Sequence, residues 1–272
     1  MVKSMLTDAC QRWRGRTPTC RPAGEPIDTR AFEVAPLSST AEARAFVEAH
    51  HYSGTYVVDR ERFGLWSRDG HLMGVAVFGV PVHPAVITRV LPGAANDSVE
   101  LSRFVLLDAV AANGESWFLA RCFEQLRATG YLGVVSFSDP LPRKNDAGET
   151  VHGGHVGTIY QAHNATYVGR GRGGTLTLLP DGTTLHRRAL TKVASQQSGW
   201  RRVVDRLVAA GLPRPGRDHA AWLRRHLPRL ERVKHPGNHK YVWALDTAAR
   251  RHLPPALPYP KLGQRELQLD LW

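Results

Sequence analysis

Tyr131-Leu132-Gly133-Val134-Val135-Ser136-Phe137-Ser138-Asp139 is the stretch from which the fold is read. It is a short, mostly apolar run rich in β-branched and aromatic residues. That pattern predicts a buried strand over residues 131–137, ending at a carboxylate. Downstream comes Gly153-Gly154-His155-Val156-Gly157-Thr158-Ile159-Tyr160-Gln161-Ala162-His163-Asn164. This is a Gly-rich loop followed by a short helix around 158–163 that carries Tyr160. Ligands in open α/β sheets bind outside the carboxyl ends of strands. Asp139 and Tyr160 are therefore the first candidates for proton-transfer or metal chemistry.

Working outward, Ser38-Ser39-Thr40 opens a helix over 41–48 that ends near His50-His51-Tyr52-Ser53-Gly54. Residues 63–66 and 72–78 flank Asp69-Gly70 as a hairpin. A short strand is expected at 86–91. A stronger one at 99–107 is mostly apolar but carries Glu100, Ser102 and Arg103. A helix over about 115–129 has Trp117, Phe118, Cys122, Phe123 and Leu126 at helical spacing, with Gly130 as its stop. Further strands are expected at 165–169, in a hairpin of 175–179 with 184–188, and at 239–245. Antiparallel strands feeding one parallel crossover predict an α+β fold with a mixed sheet and helices on both faces.

The 272 residues suffice for one large domain, and 42% are hydrophobic, enough for a full core. No apolar run approaches the roughly 20 residues of a membrane span. Cys10, Cys20 and Cys122 lack C-x-x-C spacing, so neither a disulfide framework nor a structural zinc site is indicated. That fits a reducing cytoplasm. The formal charge of +12 favours a polyanionic partner, nucleic acid first. Its bland alternative is a basic solubilising surface. Residues 1–30 read as a loosely ordered basic arm, 31–250 as the main domain and 251–272 as an irregular tail. Within 195–230, two short amphipathic helices at 200–210 and 218–227 carry Arg201, Arg202, Arg224 and Arg225. These are the natural contacts for duplex phosphates.

Taken in order, Glu100-Leu101-Ser102-Arg103-Phe104, Asn113-Gly114-Glu115-Ser116, Ser136-Phe137-Ser138-Asp139, His155-x-Gly157-Thr158-Ile159-Tyr160-Gln161-Ala162, Asn164-x-x-Tyr167-x-Gly169 and His239-Lys240-Tyr241-Val242 resemble the Mom proteins of phage Mu and its relatives. The resemblance covers roughly 50–245. It implies a GNAT-like sheet and conversion of adenine in double-stranded DNA to an N6-carbamoylmethyl form, which protects phage DNA from host restriction. It also implies iron, Fe(II) or Fe(III), and a donor that acetyl-CoA or another molecule supplies. The site residues it implies are His51, Tyr52, Glu100, Arg103, Ser116, Asp139 and Tyr160. His51, Tyr52, Asp139 and Tyr160 are the N and O ligands of types that suit iron. Two features depart from the family: Ser-Phe-Ser-Asp stands for the usual Ser-Tyr-Ala-Asp, and the loop 140–154 is long.

The GNAT phosphate signature Q/R-x-x-G-x-G/A is missing. Asn113 and Gly114 open the helix instead, as candidates for the donor's phosphates, and Glu115 would repel them. The alternative function is a GNAT N-acetyltransferase using acetyl-CoA on a protein or small amine. Each candidate also has a structural reading. Asp139 reads as a turn cap, Tyr160 as a core ring, Glu100 and Arg103 as an ion pair, and Asn113 and Ser116 as helix caps. Monomer and homodimer both remain open.

Overall fold

The computed structural model describes residues 9–15, 17–22, 24–81 and 84–261. Residues 1–8, Arg16 and Ala23 of the expected basic arm, and 262–272 of the expected tail, lie outside the described residues. The strands are β1 (Ala9–Arg14), β2 (Thr17–Pro22), β3 (Phe32–Pro36), β4 (Asp59–Ser67), β5 (Leu72–Gly79), β6 (Ser98–Leu106), β7 (Gly133–Ser138), β8 (Arg143–Lys144), β9 (Thr150–His152), β10 (Thr166–Arg170), β11 (Gly174–Leu178), β12 (Thr184–Leu185), β13 (Arg232–His235) and β14 (His239–Ala244). The helices are α1 (Thr40–His50), α2 (Ala85–Thr88), α3 (Gly114–Ala128), α4 (Thr158–Ala162), α5 (Arg187–Ala194), α6 (Trp200–Ala209), α7 (His219–His226) and α8 (Thr247–Arg251).

The chain divides into two compact units. The first comprises Met1–Ser138, Val156–Arg170 and His239–Trp272. Its sheet has seven strands in the order β10-β14-β7-β6-β5-β4-β3. Every neighbouring pair is antiparallel except β6 and β7. This is the mixed sheet that the element order predicts. Period-two alternation sorts β5 between the faces. Ala76 and Phe78 pack with Phe118, Leu119, Cys122, Phe123 and Leu126 of α3. Val75 and Val77 pack with Ala43 and Val47 of α1. Helices thus cover both faces. Cys122 is a free thiol in this core, as its helical spacing suggested.

Two features of this sheet position chemistry. The parallel pairing runs from Ser98↔Gly133 to Leu101↔Ser136 and stops there, although β6 continues to Leu106 and β7 to Ser138. The register of β6 against β5 also shifts, with Phe78 opposite Leu101 and Val77 opposite Arg103, which leaves Ser102 as a bulge. Val99 and Leu101 before the bulge, and Phe104 and Leu106 after it, pack on the α3 side, whereas Val105 packs on the α1 side. Because the bulge shifts the alternation by one residue, Glu100 and Arg103 share the α1 side although they are three apart.

The second unit comprises Asp139–His155 and Gly171–Asn238. A three-stranded sheet β12-β11-β13 and the helices α5–α7 enclose their own apolar cluster, including Leu185, Val193, Leu207 and Leu223. A two-stranded ribbon, β8-β9, completes it.

The structure corrects two expectations. Residues 86–91 do not form a strand: Pro84 caps the short helix α2, and Ile87 and Leu91 bury on one side of it. A β-branched run yields here to the helical backbone of Pro84 and to helical burial spacing. Within the expected basic arm, residues 9–14 and 17–22 pair as the β1-β2 hairpin, and 24–28 form no regular element. Arg12 is buried in a salt bridge with Glu115, 2.6 Å away. No sequence pattern reports a contact between residues so far apart.

Candidate functional site

Where β6 and β7 part, polar groups of the first unit gather. Glu100 and Arg103 come from β6, Ser136 from β7, and Tyr160 from α4. Ser136 Oγ donates to the Leu101 carbonyl at 2.9 Å, bridging the strands where their ladder ends, and stands within hydrogen-bonding reach of Tyr160. The Tyr160 ring packs against Tyr241 and Trp243 at 5.3 and 5.5 Å. Burial raises its phenol far above the ordinary range, with Tyr52 and Glu100 as further upward influences. Tyr160 therefore keeps its proton at neutral pH. Gly157, with φ of +75°, starts this helix, and a Cβ there would lie 2.7 Å from the Tyr241 ring. Only glycine lets α4 approach so closely.

Glu100 is half-buried, and burial raises its carboxyl above the usual 4.5, against the hydrogen bond from Ser102 and the charge of Arg103. The Ser102 hydroxyl lies 3.3 Å from Glu100 Oε1. Burial lowers Arg103, whose donors are already occupied. Nε and Nη2 reach the Thr55 carbonyl and hydroxyl at 2.8 and 3.0 Å, and Nη1 reaches the Ser102 carbonyl at 2.6 Å. Arg103 thus ties the segment after α1 to the bulge. His51 is buried at the end of α1. Its Nδ1 accepts from the Ser53 N–H at 3.2 Å, which puts the neutral ring's proton on Nε2. The Tyr52 ring lies 4.2 Å from the ring of His51.

The start of α3 is the candidate anchor for a donor's phosphates. Asn113 adopts φ of +71° and makes no side-chain cap, but its Nδ2 donates to the Glu25 carbonyl at 3.2 Å. The Ala112 N–H donates to the Glu25 carboxylate at 3.0 Å, and that carboxylate also takes Arg21 Nε at 2.8 Å. Gly114 is buried, and a Cβ there would lie 2.6 Å from Val110. Glu115 pairs with Arg12, which also donates to the Leu107 and Ala111 carbonyls at 3.0 Å each. Ser116, half-buried in the first turn, is the next residue along. The chain's own Glu25 and Glu115 therefore supply the negative charge that a helix N-terminus attracts.

Asp139 belongs to the second unit and is saturated there. Oδ1 accepts from the Leu141 N–H and from His235 Nε2, both at 2.9 Å, and Oδ2 accepts from Arg143 at 2.5 Å. His235 Nδ1 accepts from the Gly237 N–H at 3.0 Å, so Nε2 carries the proton given to Asp139. Burial pushes the Asp139 carboxyl up, but Arg143, the Leu141 amide and His235 outweigh it and bring it down to about 2. His152 is buried nearby, and burial, Arg143 and His155 lower it to about 3. Sequence reasoning quoted His155 without a role and passed over Arg143, His152 and His235. Only the turn signal of an acid after a strand pointed here.

The four predicted phosphate contacts are exposed: Arg201 and Arg202 on α6, Arg224 and Arg225 on α7. The opposite sides of these helices bury Val204, Leu207, Trp222 and Leu223. Arg201 stacks over the Trp200 ring at 5.1 Å. Arg206 is turned inward, to Thr183 Oγ1 at 2.9 Å.

Among the described residues no three His, Cys, Asp or Glu side chains converge to hold a metal ion. Burial opposes a Tyr160 phenolate, and His51 Nδ1 is occupied. His51, Tyr52 and Tyr160 do not by themselves make a fitted iron site.

A mixed α+β sheet that opens at its one parallel pair, in a chain with a basic helical unit, sets the structural class. The sequence model of the Mom protein family matches residues 31–261, and the chain belongs to that family. No curated protein matches it. Among solved structures, a tandem GNAT protein from the clavulanic acid biosynthesis pathway, without AcCoA, is similar at 11% identity and a TM-score of 0.42, covering 79% of this chain and 99% of its own. An N-acetyltransferase from Staphylococcus aureus Mu50 is similar at 15% identity and a TM-score of 0.29, over 68% of each chain. Neither likeness says anything of activity. No helix among the described residues is long and apolar enough to cross a membrane.

Proposed function

We propose that the chain is a DNA-modifying transferase that converts adenine to its N6-carbamoylmethyl form in double-stranded DNA. The observation that supports this reading is Glu100, a half-buried carboxyl raised by burial, whose charge acts on the buried Tyr160 phenol near the opening of the parallel pair in a Mom-family chain.

The N6 amine of adenine is a weak nucleophile, because its lone pair is delocalised into the ring. It needs an activated electrophile and a base. In this reading N6 attacks the carbon of the donated group, and the bond from that carbon to its leaving group breaks. Glu100 takes the N6 proton, and Tyr160, neutral at pH 7, gives its own to the leaving group. A base works best when its pKa lies near the working pH, which favours Glu100 over Asp139 at about 2. Arg103 keeps the Tyr52 segment in place. The α3 turn supports a donor that is not anchored there by phosphates, since Glu25 and Glu115 already supply its anions. Arg201, Arg202, Arg224 and Arg225 hold duplex phosphates without reading sequence. Adenine N6 is reached by extruding the base from the stack.

Nucleoside mass spectrometry of plasmid DNA from expressing bacteria tests the reading. Adenine heavier by a carbamoylmethyl group is expected, together with resistance to restriction at adenine-containing sites. Unmodified DNA from well-expressed, metal-replete protein would sink it.

A further inference from the structure

We infer that Val58 and Val80 form the apolar rim on which the extruded adenine rests. This inference depends on the proposed adenine chemistry. Val58 is 83% exposed and Val80 50%, and both stand among the exposed large hydrophobic residues of the chain. Among the described residues the others are Leu257 and Tyr259, on the segment where the Leu257 N–H donates to the Tyr167 carbonyl and the Tyr259 hydroxyl to the Ala165 carbonyl. A lone exposed valine needs no explanation. Two on neighbouring strand ends, at the level of Glu100 in the register, do.

Their position follows from register. Asp59 opposes Gly79, and Gly79 opposes Glu100. Val58 and Val80 are therefore the next residues beyond the β4–β5 pair, Val80 one strand and Val58 two strands from Glu100. A Cβ on Gly79 would lie 2.7 Å from the Val58 carbonyl and 3.1 Å from Ser102 Oγ. Glycine thus allows the Val58 segment to press directly on the bulge. Arg103 holds the same segment at Thr55 through bonds of 2.8 and 3.0 Å.

The occupant is a purine ring. Its faces are flat and make no strong hydrogen bonds, so they suit aliphatic surface, whereas its N6 edge needs the polar groups at Glu100. Arg60, two residues beyond Val58 and exposed, keeps positive charge near the flanking phosphates.

The test uses the whole chain and two fluorescein-labelled oligonucleotides of equal length, oligo-dA and its abasic counterpart, in anisotropy titrations. The native chain should prefer oligo-dA by about tenfold, as expected for burying two valines against a base. Val58→Ser combined with Val80→Ser should erase the preference while affinity for the abasic strand stays within about twofold. Both valines are exposed, so circular dichroism should report an unchanged fold, and the Val58→Ala, Val80→Ala pair should show a smaller loss. No preference in the native chain, preference retained by the serine variant, or equal loss of both oligonucleotides would overturn the inference. Plasmid modification is scored separately. A native chain that modifies adenine without base preference defeats the rim alone, and one with preference but no product defeats the chemistry alone.

Discussion

The two units differ in what they do with charge. The second carries sixteen Lys and Arg against seven Asp and Glu, the first twenty against seventeen. In the first, the notable ionisable groups are displaced from their ordinary behaviour by burial: Glu100 upward, Arg103 downward, Tyr160 upward. In the second, burial also lowers His152, to about 3, but the most buried carboxylate, Asp139, is satisfied by three partners, and the predicted phosphate contacts point into solvent. Strained acid–base equilibria suit chemistry, and solvated arginines suit holding a polyanion. The difference assigns catalysis to the first unit and grip to the second, in the reading proposed above.

The largest effect should come from Glu100→Gln. It keeps the shape, removes the base, and should cut product formation by about a hundredfold or more while DNA affinity holds. The pH dependence follows from the raised carboxyl. Below it Glu100 is protonated and idle, so turnover should climb with pH along a limb lying above 4.5, and the glutamine variant should lack that limb. Stability runs the other way, because the raised pKa favours the folded state below 4.5 and that benefit fades as pH rises through the shifted value. Tyr160→Phe should follow, with a loss of up to about a hundredfold in rate and a fold intact by circular dichroism. Replacing Arg201, Arg202, Arg224 and Arg225 together by Ala should weaken DNA binding and flatten the log–log salt slope by about 3 to 4. Asp139→Asn should act mainly on stability. The native carboxyl sits at about 2 against 3.8 unfolded, so it contributes ~2 kcal/mol above pH 3.8, lost as pH falls towards 2. A lower midpoint on thermal unfolding with product retained is expected. Abolished product at an unchanged midpoint would return Asp139 to the chemistry.

Much of the first unit was legible from residue periodicity. The runs around Val99–Leu101, Phe118–Leu126 and Val134–Val135 alternate or repeat as the sheet and α3 require, because burial there is local and regular. The bulge at Ser102 was not legible, and it explains why Glu100 and Arg103 share a side without alternating. Nor was the Arg12–Glu115 pair, which joins segments far apart in sequence. Asp139 was found as an acid after a strand, but its role depends on His235 and Arg143, whose contacts only the folded chain brings about. The helices α6 and α7 are legible from amphipathic spacing, whereas the start of α5 reads in sequence as the second arm of a hairpin, because Thr184 and Leu185 do begin as a strand before the backbone turns helical at Arg187.

The most direct test compares nucleosides from plasmid DNA made with the native chain and with Glu100→Gln, both well expressed and folded. Carbamoylmethyl-adenine in the first and nearly none in the second is the result expected. Equal product from both, or none from the native chain, would contradict it.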